Sequence, residues 1–132
     1  IGKAVELREG NDISLIATGI MVAKALEAAE ELGKEGISTR VINMSTIKPI
    51  DKDIIIKAAK ETKGIVTIEE HSVIGGLGSA VAEVLAKNHP THMGIIGIED
   101  SFGESGDADT LLERYGLDTE KIVSEVKRII GK

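Results

Sequence analysis

The sequence predicts an α/β fold, a mostly parallel sheet with helices on both faces. Three observations point there. Short apolar runs alternate with stretches of helical periodicity along the whole chain. The connections between them are short and carry Gly, Asn, Asp or Pro. Apolar residues make up 42% of the chain but aromatics only 2%, so the core must be aliphatic, built from Ile, Val, Leu and Ala.

Ala4–Arg8 alternates, with Val5 and Leu7 apolar and Glu6 and Arg8 polar, as in a half-exposed strand. The turn Gly10-Asn11-Asp12 follows, and on pattern alone it joins this strand to the next as a hairpin. Ile13–Ala17 is a short, mostly apolar run, as expected of a buried parallel strand. Thr18-Gly19 opens a helix whose apolar positions are Val22, Leu26, Ala29 and Leu32, with Lys24, Glu27 and Glu31 polar and Gly33 and Gly36 ending it. Thr39–Asn43 is a second buried strand. Asp51 caps a helix with Asp53 in its first turn and Ile54, Ile55, Ala58 and Ala59 on its apolar face.

Ile65–Glu69 is the next strand. Gly75-Gly76-Leu77-Gly78-Ser79 leads into a helix carrying Val81, Val84 and Leu85, and Met93–Ile98 is the last strand. Asp107–Tyr115 reads as a short helix stopped by Gly116, and Asp118 caps a final helix with Ile122, Val126, Ile129 and Ile130 inward. Strands separated by helices imply parallel pairing through right-handed crossovers.

The 132 residues fit one domain, 1–132, with no linker, repeat or low-complexity tract. Net charge is −6, which argues against nucleic acid, since phosphate backbones need a basic surface. There is no polybasic patch for a membrane surface, and no apolar run reaches the roughly 18 residues of a membrane span. The absence of cysteine excludes disulfides, thiolate zinc sites and a cysteine nucleophile. The expected location is the cytoplasm. The chain starts at Ile1 rather than Met, which reads as either a processed product or an excised piece of a longer polypeptide, the second being preferred.

Three loops could carry chemistry. Glu69-Glu70-His71 through Gly75-Gly76-Leu77-Gly78-Ser79 lies between a strand's carboxyl end and a helix N-terminus, where free amides and the helix dipole can hold an anion. Glycines there would let a phosphate approach, but they serve tight turns and close helix–sheet packing equally well. The spacing is neither a dinucleotide fingerprint nor a P-loop. His71 could act as a base oriented by Glu69 or Glu70, with packing at a domain contact the preferred reading. Thr18 and Gly19 form a second strand-end loop. In an open parallel sheet, ligands favour the crevice where strand order reverses; if the Ile13–Ala17 and Ile65–Glu69 strands flank that reversal, Thr18, Gly19, Glu70, His71, Gly75, Gly76, Gly78 and Ser79 share one candidate ligand or interface crevice. The third loop, Asp100–Gly106, contains the only phenylalanine; Phe102, Gly103, Glu104, Ser105 and Gly106 form either a cap over the core or a docking loop. His89 and His92, placed in a loop around Pro90, lack the third ligand a metal site needs.

These segments carry a resemblance. Ile65-Val66-Thr67-Ile68-Glu69-Glu70-His71-Ser72 followed by Gly75-Gly76-Leu77-Gly78-Ser79-Ala80-Val81 is similar to the C-terminal domain of transketolase-type enzymes. So are Ile47-Lys48-Pro49-Ile50-Asp51 and Ser101-Phe102-Gly103-Glu104-Ser105-Gly106, with Leu111-Leu112 and Tyr115-Gly116-Leu117 beyond it. The last stretch points to transketolase itself, particularly the split kind with separate N- and C-terminal sections. The resemblance covers essentially the whole chain.

It implies a three-layer α/β/α fold with a five-stranded mixed sheet, in which the first strand is antiparallel to the rest and lies beside the third. That placement replaces the hairpin, and puts the reversal of strand order between the second and fourth strands. It further implies a reaction moving a two-carbon ketol unit between sugar phosphates, carried by thiamine diphosphate with Mg²⁺. In the family those groups sit on other domains, and this sequence has no Gly-Asp-Gly followed by a metal-binding Asn. The resemblance therefore implies no catalytic residue, metal ligand or cofactor bound by this chain. Its partners would be the thiamine-binding domains or N-terminal section of the same enzyme, in a homodimeric assembly. Competing expectations are the C-terminal domain of deoxyxylulose-phosphate synthase or of a 2-oxoacid dehydrogenase β subunit, and a regulatory module binding a phosphate or nucleotide.

Overall fold

The computed structural model describes residues 3–70, 76–98 and 108–131. The elements are β1 (Val5–Arg8), β2 (Ile13–Ala17), α1 (Met21–Lys34), β3 (Thr39–Asn43), α2 (Lys52–Glu61), β4 (Gly64–Glu70), α3 (Leu77–Asn88), β5 (His92–Ile98) and α4 (Ala108–Ile130). The five strands form one sheet in the order β1-β3-β2-β4-β5. All pairings are parallel except β1 with β3, where Val5 lies opposite Asn43 and Glu6 opposite Ile42.

Pattern reading paired β1 with β2 as a hairpin, and the structure corrects it. β2 is buried along its whole length and has parallel neighbours on both sides, β3 and β4. A strand carrying Glu6 and Arg8 suits an edge instead. The turn residue Gly10 makes the rerouting possible. A Cβ there would lie 2.2 Å from Thr39 C and Arg40 N, so only glycine lets the chain cross the start of β3 on its way to β2. Arg40 Nε donates to Gly10 O at 3.1 Å and fixes the crossing.

The sheet separates two aliphatic cores. One face buries Leu15, Val41, Val66, Ile68 and Ile96 against α1 and α4; the other buries Ile16, Ile42 and Ile65 against α2 and α3. This is strand alternation read from a sheet covered on both sides. Ser14, the polar residue of β2, lies within 2.9 Å of the Thr62 hydroxyl, so its burial leaves no unmet hydroxyl there.

Helix ends follow local chemistry. Asp51 accepts from Ile54 N at 3.3 Å as the cap of α2, and its other oxygen accepts from Ala4 N at 2.8 Å, tying the chain before β1 to that helix. Beyond α1, Gly36 takes φ +79; its N–H reaches Gly33 O while Ile37 N reaches Leu32 O, which closes the helix in a Schellman motif.

Three sequence expectations are corrected on the α1/α4 face. The two predicted C-terminal helices are one, with the backbone helical through Gly116 and Asp118. An interior glycine costs about 1 kcal/mol, less than the burial of Ile122 and Val126 on the same helix returns. Asp118 caps nothing; it accepts from Lys24 Nζ at 2.8 Å. Lys24, assigned to the polar side of α1, is only 4% exposed. It shares the stripe of Met21, Ala25 and Ala28, and α4 covers it.

Candidate functional site

The carboxyl ends of β2 and β4 meet where the strand order reverses, which is where an open parallel sheet places its ligands. Thr18 N donates to Ile68 O at 3.3 Å and extends the β2–β4 ladder by one residue. Gly19 then takes φ +51 to turn the chain into α1, with Met21 N bonded to Thr18 O. Across the reversal, β4 ends at the half-buried Glu70, and Gly76 sits at the cap position of α3.

The N-terminus of α3 already holds an anion. Glu69 is fully buried on the α2/α3 face; its Oε1 accepts from Leu77 N at 3.1 Å and its Oε2 from Gly78 N at 2.9 Å. Two amides of the first turn, at the positive end of the helix dipole, are thus engaged by the chain's own carboxylate. Gly78 has a second task. A Cβ there would lie 2.8 Å from Ile95 Cγ2, so the glycine lets α3 lie close on β5.

The sequence candidates separate into two places. Gly76 and Ser79 open onto a cavity of about 460 Å³ between α3 and the segment around Ile47, Lys48 and Ile50. Thr18 and Gly19 do not line it. Glu83 stands on its rim, with its carboxyl held below the ordinary range first by a hydrogen bond from Lys87 and then by the charges of Lys87 and Lys52. His71 and Gly75 lie outside the described residues, as does the whole Phe102, Gly103, Glu104, Ser105 and Gly106 loop. His89 follows α3 at its C-cap, and His92 is the first residue of β5 rather than part of a loop.

Sequence reasoning missed the roles of three buried charges: Glu69, Lys24 and Arg40. Arg40 is 6% exposed, and its Nη1 lies 2.9 Å from Glu61 of α2 while its Nε lies 3.4 Å from Glu6 of β1. Each had a signal. Glu69 alternates with Ile65 and Thr67 onto one buried face, Lys24 recurs at the helical spacing of the α1 stripe, and Arg40 sits inside an apolar strand.

A diphosphate-bearing cofactor with its metal ion needs free amides or basic groups and a cluster of oxygen ligands. Among the described residues no three His, Cys, Asp or Glu side chains converge to hold a metal. The amides of Leu77 and Gly78 are engaged by Glu69 and are not free for such a group.

The model for the transketolase C-terminal domain matches residues 2–122. The chain belongs to this family. It is 51% identical over 133 residues to a putative transketolase C-terminal section of Methanocaldococcus jannaschii, covering 100% of this chain and 41% of that protein. It is 50% identical over 123 residues to a 6-deoxy-6-sulfo-D-fructose transketolase subunit of a Clostridium species, covering 93% and 38%. A 1-deoxy-D-xylulose-5-phosphate synthase of Heliobacterium modesticaldum is 45% identical over 97% of this chain and 20% of its own. Among solved structures, a split-gene transketolase described as an inactive β4 tetramer superposes with TM-score 0.83 at 48% identity, over 98% of this chain and 43% of that one. The chain spans about two-fifths of the length of the transketolase relatives it matches. The antiparallel β1 beside β3 agrees with what the family resemblance implied.

Proposed function

We propose that this transketolase C-terminal domain, residues 1–132 as one domain, serves the assembly of a thiamine-diphosphate transketolase and carries none of its catalytic groups. The enzyme transfers a two-carbon ketol unit between sugar phosphates in the cytoplasm. Thiamine diphosphate, with Mg²⁺, supplies the carbanion chemistry from partner domains or from a separate N-terminal section. The observation that carries this reading is the Glu69 carboxylate on the amides of Leu77 and Gly78, which occupies the anion position at the start of α3.

In this reading the strand-end residues Thr18, Gly19, Glu70, His71, Gly75, Gly76, Gly78 and Ser79, with the loop Phe102–Gly106, are contact elements toward the thiamine-binding domains of a homodimeric assembly. Relatives named as sections and subunits of transketolases support a role inside a larger assembly. The test is reconstitution. The chain is joined to, or mixed with, the thiamine-binding part of a split transketolase, and ketol transfer is followed with Mg²⁺ and thiamine diphosphate. Activity that depends on adding the chain is the expected result. Full activity of the thiamine-binding part without it would refute the assembly role.

A further inference from the structure

The two edges of the sheet are built differently. β1 is four residues long, its register breaks between Glu6 and Arg8, and Glu6 is drawn to Arg40. A short, bulged, charged strand is how proteins protect an edge from unwanted pairing. β5 has none of these protections. It is seven residues long, and its register with β4 runs unbroken from His92 opposite Gly64 to Ile98 opposite Glu70. Its sequence, His92-Met93-Gly94-Ile95-Ile96-Gly97-Ile98, contains no Lys, Arg, Asp, Glu or Pro. Among the described residues no strand pairs with its outer edge. At its midpoint Ile95 is 47% exposed, on the face where α3 passes over at Gly78.

Among the described residues, an edge of this length and composition offers a row of backbone donors and acceptors, with no Lys, Arg, Asp or Glu on the strand to repel a partner. We infer that β5 is a strand-pairing surface, and that its occupant is β5 of a second copy of this chain, antiparallel, with the two-fold axis at Ile95. The strand's composition is compatible with self-pairing. Most edge strands carry charges that would meet their own kind across a two-fold axis, and this one carries none. Because Ile95 is the midpoint, the axis there gives full overlap: His92 faces Ile98 of the second copy, Met93 faces Gly97, and Gly94 faces Ile96. The exposed Ile95 side chains then form an apolar cross-strand pair. On the opposite face Glu125 lies over Gly94, but Arg128 pairs with it, so the carboxylates nearest the axis arrive neutralised. The two sheets would join into a single continuous one. This inference rests on the assembly reading above, in which more than one copy is present, and adds the strand through which copies meet.

One strand pair buries less than the roughly 1,200 Å² of a stable standalone interface, so association of the chain alone is read at high concentration. The chain has no cysteine, so Ile95→Cys introduces a single thiol. Opposed Cα atoms in an antiparallel pair lie about 4.5–5.5 Å apart, within disulfide reach. Oxidation at on the order of 0.5 mM should cross-link Ile95→Cys at least about tenfold faster than Leu7→Cys on the protected edge. In sedimentation equilibrium the native chain should show a monomer–dimer equilibrium that Ile95→Lys abolishes. That variant keeps the native circular dichroism spectrum, because the position is half exposed. The inference is overturned if the native chain stays monomeric, if the two thiol variants cross-link at equal rates, or if the dimer survives Ile95→Lys. Reconstituted ketol transfer without preferential cross-linking would sink only this inference. Cross-linking without reconstitution would sink the assembly function instead.

Discussion

Replacing Glu69 with glutamine tests the internal anion with almost no change in shape. Both carboxylate oxygens accept from buried amides, Leu77 N at 3.1 Å and Gly78 N at 2.9 Å. Hydrogen bonds to a charged group contribute about 1.5–3 kcal/mol each, less the cost of burying the carboxylate. Glutamine keeps one acceptor and turns an NH₂ toward the second amide, so one bond is lost and two donors face each other. A loss of about 2 kcal/mol follows, and about 3 kcal/mol for Glu69→Ala, which orphans both amides at the start of α3. For a chain of this length each kcal/mol moves the melting temperature by about 3–5 °C, so the alanine variant should melt about 10 °C lower. Urea unfolding followed by circular dichroism gives the same quantity, as a midpoint lower by roughly 1.5 M at unchanged slope. A glutamine variant within about 0.5 kcal/mol of native would refute the reasoning, because the amides would then not depend on the charge. Stabilisation of the native chain by inorganic phosphate bound at Leu77 and Gly78 would refute it from the other side.

Gly10→Ala should cost at least about 3 kcal/mol in urea unfolding, because the new methyl meets backbone atoms of Thr39 and Arg40 rather than a side chain that can swing away. Asp118→Asn should cost about 1–3 kcal/mol by removing the charge that faces the buried Lys24, and the double variant with Lys24→Met should recover part of it. Thermal melts of the single and double variants decide this, and a double variant weaker than both singles would count against a buried ion pair. Asp51→Ala should lose about 1–2 kcal/mol, more than an ordinary cap, because the same carboxylate serves Ile54 N and Ala4 N.

The parts of the fold written in local periodicity were legible in the sequence. β2 and β3 fall at the expected residues, and α2 begins at the Asp51 cap with Asp53 in its first turn. What periodicity misread were long-range decisions. The Gly10-Asn11-Asp12 turn has hairpin chemistry, but the choice between β2 and β3 as the partner of β1 depends on a glycine pressed against Thr39, which no local signal reports. Gly116 reads as a helix stop because propensity counts the glycine, not the packing of Ile122 and Val126 farther along the same helix.

At the candidate site, the packing role the sequence allowed for its glycines holds at Gly78, which lies close on Ile95. The anion that this helix start could hold is supplied from within by Glu69, a residue the sequence offered only as a helper to His71. Buried charges are the hardest residues to read from pattern, since their partners lie far along the chain, as Lys24 and Asp118 do.

Ketol transfer by the 132-residue chain by itself tests the central claim most directly. The chain is incubated with thiamine diphosphate, Mg²⁺, a ketose phosphate donor and an aldose phosphate acceptor, and product is followed by coupled assay. The account predicts no product above the buffer control until the thiamine-binding part is added. Turnover by the chain alone would contradict it.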